Sequence, residues 1–303
     1  MPASRQPRPT VAQVHQASLF PPAPPKGVAG DPGLFVPDSE VWRVWREKVL
    51  LVGGPTALLL QVGHPLIAAG VAAHSGLDRD PFGRLQATTN TTLTIAFGDT
   101  EQARAAASSV NAIHGGVTGR LPESVGPFPA GTRYDAHDPA LDLWVHATLV
   151  VTALKLYSLV IEPLGPERCE RFFQEFKRFG ELFGVGPAYM PTSYLELNHY
   201  VHAMDERLAA MLGEESKALA RLILEPPMPL VLAPAIPAMR VLTTGLLPRS
   251  LRRAYGLAWL PRHRVAFIAL VKLLRIAVRA SPPSVRYWPH YHVARERLST
   301  TPS

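Results

Sequence analysis

Cysteine is almost missing. Cys169 is the only one in 303 residues, which excludes an internal disulfide, a cysteine-rich zinc site and the CxxCH that attaches haem covalently. Charge is also scarce, at 18% Asp, Glu, Lys and Arg against 47% hydrophobic residues, a balance that buries a large core and excludes a disordered chain. No GxGxxG, GxxxxGK[ST] or GxSxG occurs, so dinucleotide-binding, P-loop and α/β-hydrolase chemistry lack their basic signatures. HExxH is absent too, and the apolar helices carry almost no Glu, which argues against a zincin and against a di-iron carboxylate bundle. The opening MPASRQPRPT has no apolar run of the kind a secretory leader needs, so a cytoplasmic location is expected.

What charge there is lies unevenly. From Arg221 to the end stand 13 Lys and Arg against Glu225 and Glu296, whereas the first 220 residues hold 18 basic and 22 acidic side chains. The basic residues of 221–303 are interleaved with Leu, Val, Ala and Trp259 and offer no stacking platform, which makes nucleic acid an unsuitable partner. Peripheral contact with an anionic membrane suits that segment better, beside the alternative of a packed helix pair with its arginines in solvent or on a cofactor.

Histidine is concentrated where charge is lowest. Five of the eleven lie between His64 and His146, and the stretch from Val49 to Leu77 contains no Asp, Glu, Lys or Arg yet holds Gln61, His64, His74 and Ser75. Polar groups in so apolar a setting need partners or a ligand. The length of the run raises the question of a membrane span, but the GGP and HP breaks favour buried helices in a soluble core.

Periodicity and capping signals predict an all-α chain. Residues 1–38, rich in Pro, Ala and Gly, read as a flexible arm, and 39–303 as one domain. Ser39 opens a helix carrying Trp42, Trp45 and Val49 on one face, and a second helix is expected from Pro55 to Ala73. Asp80-Pro81 begins a Thr-rich helix, and Asp99 and Thr100 cap a helix that ends at Gly115-Gly116. Arg120 to Ala130 reads as a Pro/Gly loop, and a long helix follows from about Pro139 to Ile161. An amphipathic helix bears Phe172, Phe173, Phe176, Phe179 and Phe183, and another is opened by Pro191 and Thr192. PPMPLVLAPAIPAM is too rich in proline for a straight helix. A basic helix pair and RYWPHYHVARERL close the chain, and no strand pattern competes over a useful length.

Histidine without carboxylate, on helices and among apolar residues, suits haem: one neutral imidazole for iron, apolar side chains for the macrocycle, Arg, Thr or Ser for the propionates. Arg84 and Thr88, four apart, share a helix face and could serve together; in a purely structural account Arg84 pairs with Asp78 or Asp80 and Thr88 bonds its own helix. His114 ends the clearest helix, where a histidine is also favoured by the helix dipole. His146 in WVHATL reads equally well as a core histidine, and His64, before Pro65, as a turn cap. His199 and His202 lack a third ligand.

Several motifs in order, LLLQVGHPLIAAGVAAHS, DPFGRLQATT, FGDTEQARAAASSVNAIHGGVTG, YDAHDPALDLWVHATL and RYWPHYHVARERL, resemble the DUF2236 family over roughly residues 39–297. That family includes bacterial latex-clearing rubber oxygenases and a fungal endoplasmic-reticulum oxygenase that shortens a farnesyl chain. The resemblance implies an all-helical domain with a globin-like core, non-covalent haem b, and use of dioxygen to cleave isoprenoid double bonds. It also implies that Arg84 and Thr88 form the family's Arg-x-x-x-Thr element, that His114 is the proximal iron ligand, and that His146 is a second family histidine and the alternative ligand. Two departures stand out. Ala87 occupies the position of a distal lysine in latex-clearing proteins, and 64–75 lacks their upstream carboxylate, leaving His64 or His74 as a general base. The expectation is a haem-dependent oxygenase for a hydrophobic, isoprenoid- or lipid-like molecule, with a non-catalytic haem- or lipid-binding protein as the alternative. Oligomeric state is not encoded legibly.

Overall fold

Proline and short polar side chains start the helices of this protein, and the computed structural model, which describes residues 20–226 and 233–300, puts them where the local chemistry requires. The helix α1 (Glu40–Trp45) begins at Ser39, whose hydroxyl accepts from the Trp42 amide, and a 3₁₀ turn over Lys48–Gly53 follows it. Next come α2 (Gly54–Val62), α3 (Pro65–His74), α4 (Pro81–Phe97) and α5 (Thr100–His114). A small antiparallel pair, β1 (Thr118–Arg120) with β2 (Arg133–Asp135), registers Gly119 against Tyr134. It leads into α6 (Pro139–Val160), α7 (Pro166–Glu181), α8 (Tyr194–Ala210) and α9 (Glu214–Leu224). The last helices are α10 (Ile236–Leu246), α11 (Arg249–Ala254), α12 (Pro261–Ala280), α13 (Pro283–Arg286) and α14 (Pro289–Ser299). The expected all-α domain is the observed one.

Helix α6 is the axis of the core. Trp144, Ala147, Val150, Leu154, Leu156 and Val160 are buried along it, and the Trp144 indole donates to the Leu60 carbonyl of α2 at 3.0 Å. Phe172, Phe173 and Phe176 of α7 are fully buried. Each such ring contributes about 2–3 kcal/mol through loss of apolar surface from water. Helix α6 is also long and apolar enough to cross a membrane, yet most of its apolar window is buried against protein.

Several expectations are corrected. The charge-free run is not one helix from Pro55 to Ala73: α2 and α3 break at Gly63-His64, and the stretch bends by 113°. His64 there caps α3, its Nδ1 accepting from the Leu66 amide at 3.3 Å. The Pro/Gly loop is flanked by the two strands, too short to leave an alternating signature. Helix α8 is capped by Ser193 rather than opened at Pro191-Thr192. Of the expected flexible arm, residues 1–19 lie outside the described residues, but from Phe20 onward the chain is tied down. Val28 donates to Asp99 Oδ2 at 2.8 Å, Thr100 donates to Asp31 at 3.0 Å, and the Arg297 guanidinium donates to the Asp31 carbonyl at 2.8 Å. Of the proline-rich stretch, 227–232 also lie outside the described residues.

Candidate functional site

Asp99 and Gln102 set the start of the helix that ends on His114. Asp99 Oδ1 accepts from the Gln102 amide at 2.7 Å, and Gln102 Oε1 accepts from the Asp99 amide at 3.1 Å, a reciprocal capping box that fixes the start of α5. Fifteen residues later the helix ends on His114. Nearby, Asn111 Nδ2 donates to the Leu182 carbonyl at 2.8 Å, locking this end of α5 onto the exit of α7. The half-buried imidazole of His114 sits with its centroid 6.1 Å from His137 and 6.4 Å from Phe183. Among the described residues neither ring nitrogen has a hydrogen-bond partner, and Nδ1 is buried.

Three influences lower the pKa of His114: burial first, then the positive charges of His137 and Arg84. The ring is therefore neutral at physiological pH, the protonation state that iron requires. Arg84 on α4 donates Nη1 to the Ser75 carbonyl at 2.9 Å, so it ties α4 to the end of α3. It pairs with neither Asp78 nor Asp80. Asp80 is instead the cap of α4, accepting from Gly83 at 2.8 Å. Thr88 is exposed, its hydroxyl has no partner among the described residues, and its carbonyl accepts from Thr92 Oγ1 at 3.0 Å. Ala87 beside it is exposed as well.

The two proposed bases are driven apart. His64 and His74 stand at opposite ends of α3, ten residues and about 15 Å of helix rise apart. His74 adjoins Ser75, hence the Arg84 end, and is exposed with Nε2 3.4 Å from the Tyr134 hydroxyl. His64 is buried, its pKa drawn down to about 4 by desolvation against a weaker opposing pull from Asp138, and its ring lies 5.5 Å from Phe128.

His146 is the other histidine of the sequence argument, and its surroundings differ. It is 2% exposed, both ring nitrogens are buried without partners, and it stacks on Phe176 at 5.3 Å with the ring planes 16° apart. Burial takes its pKa to about 4. A Cβ built on Gly180 would approach its Nδ1 to 3.2 Å, so α7 closes on the ring from the side.

His137 was not singled out among the candidate ligands, and no periodic signal marks it, because it follows β2 in a loop. Asp135 Oδ1 accepts its backbone amide at 3.0 Å and fixes the turn. Buried Asp142, one turn into α6, has its carboxyl pushed up to about 7 by desolvation and by the charges of Asp138 and Asp135. His290 of the RYWPHYH motif is buried and bonds Asn90 Oδ1 of α4 at 3.1 Å. No three His, Cys, Asp or Glu side chains converge as a metal-ligand set among the described residues.

A separate cleft of about 770 Å³ opens between α6, α8 and the α10–α11 corner, lined by Leu60, Thr152, Lys155, Asp205, Leu246 and Arg253 among others. Lys155 lies sixteen residues, about 24 Å of helix rise, beyond the α6 start that adjoins His137. The cleft and the His114 region are therefore distinct.

The chain is thus an all-α domain in which the end of α5 presents an imidazole without a hydrogen-bond partner among the described residues. The chain belongs to the family of the ER-bound oxygenase mpaB/B' and rubber oxygenase catalytic domains, the DUF2236 family, which matches residues 42–276. It is similar to the uncharacterized protein Rv2237 of Mycobacterium tuberculosis and the uncharacterized protein Mb2261 of Mycobacterium bovis. Each is 28% identical over 233 residues, covering 74% of this chain and 87% of the relative. No solved structure matches the chain.

Proposed function

We propose that this protein is a haem b-dependent oxygenase that uses dioxygen to oxidise or cleave a hydrophobic, isoprenoid- or lipid-like small molecule. The observation that carries this reading is His114: an imidazole at a helix end, without a hydrogen-bond partner among the described residues, kept neutral by burial and by the charges of His137 and Arg84. The donor set fits haem better than a bare ion, because haem asks the protein for one imidazole and for cations at its carboxylates, not for three converging ligands. In this reading His114 holds the iron and haem supplies the redox chemistry toward dioxygen. Arg84 and Thr88 would order the propionate side, Arg84 by charge and Thr88 by its free hydroxyl. His146, flat against Phe176, is the alternative ligand, and a wide macrocycle could reach it only if α7 moved.

The polar groups that act on His114 are His137 and Arg84, and Arg84 is bonded to Ser75, the residue after His74. A proton taken from or returned to substrate would pass through His74, whose exposed ring can exchange with solvent, rather than through His64, whose Nδ1 lone pair is committed to the α3 cap. Ala87 leaves open the position that a lysine fills in latex-clearing proteins, which favours a site receptive to dioxygen.

The test is the ultraviolet–visible spectrum of protein expressed with a haem precursor, wild type beside His114→Ala and His146→Ala. A Soret band lost in His114→Ala and kept in His146→Ala supports the assignment. No band in any form, even after reconstitution with haemin, rejects the haem reading. Oxygen uptake with terpenoids and unsaturated lipids then distinguishes an oxygenase from a haem carrier.

A further inference from the structure

The helix α12 is apolar on two sides. Its inner face, Phe267, Val271, Leu274 and Val278, packs on the body of the protein, and Arg275 donates to the Leu159 carbonyl of α6 to hold it there. Val265, Ile268, Leu273 and Ile276 point the other way and are 67%, 45%, 61% and 65% exposed. At 100° per residue these four fall within one arc of the helix. Leu260 and Val285 extend the same stretch, so six of the twelve large hydrophobic side chains exposed among the described residues crowd into Leu260–Val285. Scattered exposed apolar residues are ordinary, but a continuous row of them marks an interaction surface.

Charge decides what the row meets. Arg262, Arg264, Lys272 and Arg279 lie on or beside the same arc, and none of their side chains has an ion pair or hydrogen bond among the described residues. No Asp or Glu occurs between Glu225 and Glu296, so nothing along this stretch of chain neutralises them. A second copy of the chain would be a poor occupant. Two-fold pairing brings the same patch against itself, four cations against four, with no carboxylate between them. An anionic bilayer satisfies both halves of the pattern, because the apolar side chains enter the acyl boundary while the long basic stems lie along it and reach the headgroups.

We propose that α12 is a membrane-docking helix that seats the protein on anionic lipid through Val265, Ile268, Leu273 and Ile276, with Arg262, Arg264, Lys272 and Arg279 on the headgroups. The surface is narrower than the basic segment 221–303 as a whole. Much of that segment is structural: Leu246, Leu251, Trp288 and Arg297 are buried, and Arg286 is bound to Glu47. The docking proposal does not depend on haem.

The experiment is sedimentation of the full chain with vesicles of phosphatidylcholine alone and of phosphatidylcholine with phosphatidylglycerol, at low and high salt. Binding only to the anionic vesicles, weakened by salt, is expected. The double variant Val265→Glu/Ile276→Glu should lose it at least tenfold, and Lys272→Ala and Arg279→Ala about fivefold each. Both changes are on exposed positions, and far-ultraviolet circular dichroism with an unchanged melting curve verifies that the fold is intact. Failure to bind anionic vesicles overturns the proposal, as does equal binding by the Glu double variant. A wild-type dimer in sedimentation equilibrium that the double variant abolishes would assign the face to a second copy and also overturn it. The haem spectrum, read on the same samples, reports separately on the reading of His114.

Discussion

The imidazole of His146 lies flat on the ring of Phe176, 5.3 Å between centroids and 16° between planes, with Phe173 and Phe179 each 6.5 Å away. A side chain in that position is part of an aromatic stack, and its buried nitrogens cost stability without giving a bond in return.

His146→Leu should therefore keep the Soret band and be at least as stable as wild type at pH 5. The sign follows from linkage: with a folded pKa of about 4 against about 6.5 unfolded, the unfolded chain binds the extra proton between those values, so this group removes stability as pH falls below about 6.5. Urea unfolding at pH 7, 6 and 5 should show the variant losing less per unit than wild type, by up to about 1.4 kcal/mol. Loss of the haem band with an intact fold would transfer the ligand role to His146.

The charge of Arg84 disfavours protonation of His114. Removing Arg84 as Arg84→Gln should raise the His114 pKa toward its ordinary value, measurable by NMR titration of the haem-free protein, and should weaken haem retention. Arg84→Lys should preserve most of the pKa effect while losing the planar bond to the Ser75 carbonyl. An unmoved His114 titration in Arg84→Gln would show that the two groups are not coupled.

Asp205 carries the opposite sign. It is 5% exposed, its Oδ1 has no partner, and desolvation pushes its carboxyl up to about 7. Above the unfolded carboxyl pKa the folded state binds more protons than the unfolded one, so the group opposes folding increasingly as pH rises toward 7. Asp205→Asn should be more stable than wild type by about 2 kcal/mol or more at pH 8 and by almost nothing at pH 4, as urea midpoints would report. Equal stability at pH 8 would mean that the Lys155 charge already compensates.

Glu47 is fully buried and receives both Nε and Nη2 of Arg286 at 2.7 Å across 239 residues of chain, with Trp288 donating to the neighbouring Arg46 carbonyl at 3.1 Å. Glu47→Ala should cost about 3–5 kcal/mol because it strands Arg286, whereas Glu47→Leu/Arg286→Leu should cost far less. Thermal melts of both variants, which should differ by several degrees or more, check the claim.

The sequence determined what depends on residues within a turn of one another. Asp99 with Gln102 announced the start of α5, Pro139 the start of α6, and the spacing of Phe172, Phe173, Phe176 and Phe179 the buried face of α7, and together they made the chain all-α. Arg84 and Thr88 on one helix, and His114 at the end of another, were legible for the same reason. Tertiary packing decided the 113° angle between α2 and α3, whose break at His64-Pro65 was legible, and the return of the strand pair, which lays His137 beside His114. It also decided that His146 meets Phe176 rather than open space. Capping and periodicity are local and read directly from neighbours, whereas these relationships arise when helices far apart in sequence bury their apolar faces on one another. The burial that sets the histidine pKa values belongs to that packing and to no single segment.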